Sequence, residues 1–597
     1  MKSTIWFRAA CLSLLLLAAA PCFSQASLKL PLDPAGITAL QAKTKDGYTA
    51  LGKISALKDF GKEMGQFPSL IAENKDFVIS NNGNANIVFA IGGLLKKNHP
   101  DPKTFAAQLA LIDKSYKDNL PAYAFGYFAS RMASLLLKQD YPDEAKHYAL
   151  ISVPLFNEDD CALNERFEDA DRAMYEQKNS KTPIKHVYYE ADGVVQCASD
   201  QAARLAVLGK IEAKLGETKD AAANFNAALK LHPNMDAFVG LATLDETAGD
   251  KPGELSLLTS AYLTGRLDAE SIAKAQALYL ELNPGGTEAG YAALMDEEYA
   301  KTFSNPVKEP AAPVVAPGSQ HVVLDEFFTG ADCEPCTSPD LATEATLNRY
   351  TRNQLVLVVY HNNAPSPDPL TNDVGEDRAK YYGTHGSTPH TFLDGKELDL
   401  EEGLGTHAQT AFDELSSNVD KLLATSSEGS LNVVAMAKGG VIEVTVTGKP
   451  GKVKLKSHLQ VLLLENPVSY SGYNTLRFHP MVVRASAEEV PGARGFSIPV
   501  GKSVAHKVNF NLAKIEQENL AYYEESKQDL VKRLSAAIAS GAFDKKEVEK
   551  MGEFREHKNM IDPKRLAVVA FLQDDATKQV LTATYMVVGS GTAAEAK

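Results

Sequence analysis

The chain has 597 residues, 44 % apolar and 23 % charged, a balance that excludes collagen-like, mucin-like and wholly disordered classes. At roughly 100–200 residues per domain, that length points to about three or four domains rather than one compact fold. The formal charge is −15, and beyond residue 26 there are 59 bases against 76 acids, a surface that repels nucleic acid and anionic lipid.

Residues 1–26 carry Lys2 and Arg8, an apolar run from Ala9 to Ala20 and small residues at Ser24 and Ala26, the pattern of a secretory signal peptide. The run is too short to span a bilayer, and no later stretch reaches about 18 consecutive apolar residues, so a periplasmic or secreted protein without an integral membrane segment is expected. Pro21 immediately before Cys22 speaks against processing to a lipidated cysteine. Cleavage after Ala26 leaves Cys161, Cys197, Cys333 and Cys336. In an oxidising compartment the wide pair reads as a structural disulfide and the C-x-x-C pair as redox-active or metal-binding.

From 27 to 304 the sequence is rich in Ala, Leu and Lys at helical spacing and reads as all-α. Between Ala203 and Pro233, Leu205, Leu208 and Gly209 fit one closely packed helix, Gly216 a turn, and Ala221, Phe225 and Ala228 a second helix. This spacing resembles a tetratricopeptide repeat, with Glu212 in place of the common aromatic. The stretches 123–149 and 235–265 read as degenerate copies, since an isolated repeat cannot bury its apolar face; a generic helical bundle is the alternative. This half offers no catalytic constellation and reads as a scaffold or partner-binding region. A loop-rich insert from Asn157 to Cys197 interrupts it. A Cys161–Cys197 bridge would close about 36 residues and contribute roughly 3–4 kcal/mol; two free buried thiols are the alternative.

Residues 305–320, with Pro306, Pro310, Pro313 and Pro317, read as a stiff extended linker. Beyond it the pattern becomes α/β over 321–425: strands HVVLDEFF, LVLVVYH (Leu355 to His361) and HTFLDG (His390 to Gly395) alternate with helices, the last from about His407 to Ala424. From 429 to 597 the segments VIEVTVTG, HLQVLLLE, HPMVVRAS and LAVVAFLQDDATKQVLTATYMVV suggest a C-terminal β-sandwich with a charged helical insertion near 513–558.

The segment VLDEFFTGADCEPC (Val323 to Cys336), followed by GSTPHTF (Gly386 to Phe392), resembles the thioredoxin superfamily over about His321 to Thr425. The resemblance implies a thioredoxin fold in which Cys333 attacks, Cys336 resolves, and Pro389 is a cis-proline facing the disulfide. It also places Glu326 near the position of a buried acid that accepts the proton of the second cysteine, with a surface carboxylate as the alternative. A cysteine at a helix N-terminus is activated as a thiolate, and Cys336 one turn later can release a mixed disulfide. Two departures are Asp332, where an aromatic is common, and Glu334; both carboxylates disfavour a thiolate and point to a reducing or moderate potential.

The expected function is thiol-disulfide exchange on the cysteines of other proteins, with no cofactor and with partners selected by the helical half. The alternative is a non-catalytic adaptor holding a static disulfide. A zinc site using both cysteines and two of His361, His385 and His390 is disfavoured by the family geometry, and a peroxidase by Gly330 at the position where a threonine is expected.

Overall fold

The structure, a computed structural model, describes residues 34–79, 81–98, 100–154, 190–309, 321–364, 366–426, 429–451, 457–489, 495–499, 502–539 and 544–589. The expected signal peptide (1–26), Cys161 with its expected bridge to Cys197, and residues 310–320 of the linker lie outside the described residues. No helix among the described residues is long and apolar enough to cross a membrane.

The chain divides into two compact units at Phe125 and Gly126. In the first, helices Pro34–Ser55, Phe60–Glu73, Lys75–Val78, Asn81–Lys97 and Pro102–Asn119 bury Phe67, Ile71, Phe77, Ile91, Phe105 and Ile112. Asp59 and Asp101 start two of them by accepting the amides of Lys62 and Thr104, donors with no partner inside the helix.

The second unit begins with more helices, among them Pro142–Ser152, Glu190–Lys214, Thr218–Leu231, Met235–Ala248, Lys251–Leu263, Ala269–Leu282 and Glu288–Thr302. Phe225 is wholly buried and holds three of them together. A Cβ at Gly209 would come 2.7 Å from its ring and one at Gly240 2.2 Å, so two helices approach the ring closely enough that only glycine fits. Gly216, at φ +80°, makes the turn between the first pair.

A nine-stranded mixed sheet follows. Its strands are β1 (Val323–Thr329), β2 (Leu355–His361), β3 (His390–Leu393), β4 (Lys396–Leu398), β7 (Ser457–Glu465), β10 (Val482–Ser486), β11 (Phe496–Ser497), β13 (Leu566–Asp574) and β14 (Val580–Val587). The order is β14, β13, β7, β10, β2, β1, β3, β4, with β11 beside β7. β1 runs parallel to β2 and antiparallel to β3, and the helix Thr337–Arg349 connects β1 to β2. Strands β5 (Gly429–Lys438), β6 (Val441–Pro450) and β12 (Val504–Asn511) form a second sheet, while β8 (Val468–Ser469) and β9 (Phe478–His479) form a ribbon.

Two findings differ from the sequence reading. The boundary expected between 425 and 429 does not divide the sheet, because β10 pairs with β2 (Val482 opposite Val359) and carries the sheet on into β7 and β13. Alternation explains how this is possible: Leu459, Val461 and Leu463 face the three-stranded sheet, while Leu462 and Leu464 join the core under β1 and β2. Residues 305–309, expected to be linker, lie against the α/β part. Asn305 donates to Leu341 O at 2.9 Å, and the Lys308 amide donates to Gln409 Oε1 at 2.8 Å.

A buried ion pair fastens the two parts of the large sheet. Arg378, on the helix Asp373–Tyr382, donates to Glu326 of β1 at 2.7 and 2.8 Å and to Gln573 of β13 at 2.7 Å. Both members of the pair are buried, and removal of one partner from such a pair strands the other's charge. Arg378→Met is therefore expected to destabilise the protein by about 3–5 kcal/mol in chemical denaturation; a loss below about 1 kcal/mol would show that water or another group replaces the arginine.

Candidate functional site around Cys333 and Cys336

β1 ends at Thr329, the chain turns through Gly330–Asp332, and Cys333 leads into a short 3₁₀ turn, Glu334–Cys336, that continues as the helix Thr337–Arg349. Cys333 and Cys336 form a disulfide with their Cα atoms 5.3 Å apart. Cys333 is 3 % exposed and Cys336 0 %, so an incoming group meets Cys333 first. The Thr388–Pro389 bond is cis, and Thr388 O lies 3.8 Å from Cys333 Sγ. The structure thus brings together three of the residues singled out in the sequence: Cys333, Cys336 and Pro389. Gly403 ties down the helix start, its amide donating to Pro335 O at 2.9 Å and its carbonyl accepting the Ser338 amide at 3.0 Å.

Glu326 does not join them. Successive residues of a strand face opposite sides, and Glu326 points to the helix Asp373–Tyr382, whose Arg378 and Tyr382 donate to it together with Tyr360 of β2. Thr329, of opposite parity, points to the helix that follows the cysteines. Glu326 is therefore a structural anchor, which corrects its expected role as proton acceptor.

The acid in that region is Asp340, which the sequence reading missed although it stands four residues after Cys336. That spacing, about one helical turn, puts the two on the same side of the helix start. Its Oδ2 accepts from Thr329 Oγ1 at 3.0 Å and from Asn474 Nδ2 at 3.2 Å. Desolvation pushes it up to about 7, against the nearby His361 and the two hydrogen bonds. Asp340 and His361 line a small cavity of about 10 Å³, room for on the order of one water.

His361 Nδ1 lies 2.7 Å from Asp368 Oδ2, and its Nε2 is buried without a partner. Burial alone would raise Asp368, but His361 and the amides of Ala331 and Leu370 hold it below the usual carboxylate range. His479, edge-on to His361 at 4.9 Å, is pushed down to about 3 by burial, with His361 adding to the effect.

Asp332 accepts from Ser366 Oγ at 2.7 Å and from the Tyr473 amide at 3.1 Å, while desolvation raises it. The other two histidines pair away from the sulfurs, His385 with Glu376 at 2.9 Å and His390 with Glu397 at 3.1 Å. Among the described residues no group of three or more His, Cys, Asp or Glu side chains is placed to hold a metal ion. Beside Pro389 opens a groove of about 380 Å³ lined by Pro339, Pro389, His390, Glu397, Asp399 and Leu400, along β4, the last strand of the sheet.

Asp325 faces the same side of β1 as Thr329 but has no hydrogen-bond partner, and burial, with Glu326 and Asp394 nearby, pushes it up to about 8. It keeps its proton when folded and loses it near 3.8 when unfolded, so the folded state binds more protons between these values. The contribution of Asp325 to stability therefore falls as pH rises from about 4 to 8 and levels above that. In Asp325→Asn, denaturant titrations at pH 4.5 and 8.5 are expected to show a decline smaller than the parent's by at least about 1 kcal/mol; an equal decline would mean that Asp325 ionises normally.

No family model matches this chain, and no curated protein matches it. Among solved structures it has a likeness to HBP35 of Porphyromonas gingivalis at 12 % identity and a TM-score of 0.29, over 47 % of this chain and 79 % of that one.

Proposed function

We propose that the protein is an exported thiol-disulfide oxidoreductase that acts on protein cysteines through Cys333 and Cys336, carried in a thioredoxin-like domain within 321–425. The observation that carries this reading is a disulfide at a strand-to-helix junction, with Cys333 the less buried of the two cysteines and a carbonyl of the cis Thr388–Pro389 segment beside it. Tetratricopeptide-like helix pairs serve partner binding, and the three-stranded sheet packed on β7 and β13 of the large sheet acts as a β-sandwich. The reaction needs no cofactor.

In the reducing direction the Cys333 thiolate attacks a substrate disulfide, forming a mixed disulfide and releasing one substrate thiolate. Cys336 gives up its proton and attacks the Cys333 sulfur. The second substrate thiolate leaves, the substrate has gained two electrons, and the protein holds the Cys333–Cys336 disulfide. Asp340, whose carboxyl burial pushes up to about 7, is suited to take the Cys336 proton and return it to the leaving thiolate. The substrate segment lies in the groove beside Pro389.

Cys336→Ser removes the resolving thiol, so mixed disulfides through Cys333 are expected to accumulate with cysteine peptides and to be seen by mass. The burial of Cys333 favours a second reading, a static disulfide in a binding protein. A folded Cys336→Ser variant that traps no peptide would establish that reading instead.

Asp340→Asn is expected to slow resolution of the mixed disulfide about ten-fold or more at pH 7 and to flatten its pH dependence between 6 and 8. Unchanged rates and an unchanged profile would assign the proton to another group.

A further inference from the structure

One turn, residues 470–477 between β8 and β9, touches both acids that flank the disulfide. The Tyr473 amide donates to Asp332, immediately before Cys333, and Asn474 Nδ2 donates to Asp340, one turn after Cys336. The backbone is equally close: the Asn474 amide donates to Ala331 O at 3.0 Å, and a Cβ on Gly472 would lie 2.1 Å from the same carbonyl.

The other side of this turn is held by the helical part of the unit. A Cβ on Gly265 would lie 1.8 Å from Gly472 O, and the exposed Arg266 stacks on the Tyr473 ring at 4.8 Å. Arg477, 2 % exposed at its side chain, donates to Asp296 at 2.6 Å and to Ala292 O at 3.2 Å, both on the helix Glu288–Thr302. Arg555, in the loop after the helix Lys545–Met551, donates to the carbonyls of both Gly265 and Ser471.

We propose that the 470–477 turn is the positioning element of the Cys333–Cys336 pair, with Arg477 and Asn474 as positioning residues, so that the helical part sets how readily the disulfide is reduced. The turn covers part of Asp332, which is half-buried. Burial raises Asp332 and the Asp368 carboxylate adds to it, against the Ser366 hydroxyl, the Tyr473 amide and the Arg555 guanidinium. Loosening the turn takes the Tyr473 amide from the Asp332 carboxylate, whose charge beside Cys333 is then met by fewer donors and disfavours the thiolate.

This inference rests on the exchange reaction proposed above. In the test, the protein disulfide is equilibrated with glutathione: two glutathione thiols give two electrons and two protons to Cys333 and Cys336 and leave as glutathione disulfide. Two variants lie on the helical part, away from the sulfurs: Asp296→Asn, which removes the charge opposite Arg477, and Arg266→Ala, at an exposed position that leaves the fold intact. Each is expected to lower the equilibrium constant for reduction at pH 7 by three-fold or more and to alter its dependence on pH between 5 and 8. A folded Arg266→Ala protein with the parent's constant and profile, or with a higher constant, overturns the inference while leaving the exchange reaction standing. A parent that never equilibrates with glutathione overturns both.

Discussion

The Glu326–Arg378 pair constrains much of what surrounds the disulfide. A carboxylate inside a parallel strand is costly unless matched, and here it is met by a guanidinium and by the hydroxyls of Tyr360 and Tyr382. The same guanidinium also donates to Gln573 of β13, so the network that holds Glu326 extends to a strand roughly 240 residues later in the chain. The rigid β1 that results fixes where the Gly330–Asp332 turn begins, and with it the position of Cys333.

Around that anchor the site is a set of acids held in different states by their surroundings. Asp368 is kept ionised by His361 and two amides, whereas Asp325, with no donor at all, keeps its proton. Asp340 lies between these extremes with two donors and partial burial. Identical side chains acquire different chemistry because desolvation and hydrogen bonding act on them in different proportions.

Much of this was legible in the chain. The run LVLVVYH forms β2 over Leu355–His361, since a fully apolar, β-branched stretch flanked by polar residues has few other stable conformations. Cys333 and Cys336 lie at a strand-to-helix junction, with the cis Thr388–Pro389 segment beside Cys333. Glu326 went astray by parity, since a one-residue shift along a strand moves a side chain to the opposite face. β4, three residues long, is too short to show a period, while β12 does alternate at Val504, Val508 and Phe510 but was passed over. Asp340 stood in plain helical register with Cys336, yet its burial depends on a turn about 130 residues away, and no local pattern records that. The pairing of β10 with β2 is non-local in the same way.

That pairing bears on how the protein can be divided. Every residue of β2 is buried, and the strand has β1 on one edge and β10 on the other. Excising 321–425 would uncover the β2 edge around Val359, where β10 pairs with it, and leave an apolar strand open to intermolecular pairing. The stretch that bears the cysteines is therefore not a portable cassette. Its hydrophobic floor is completed by residues such as Leu462, Leu464, Val569 and Phe571, so evolutionary exchange or laboratory grafting of this site has to carry the C-terminal strands along with it.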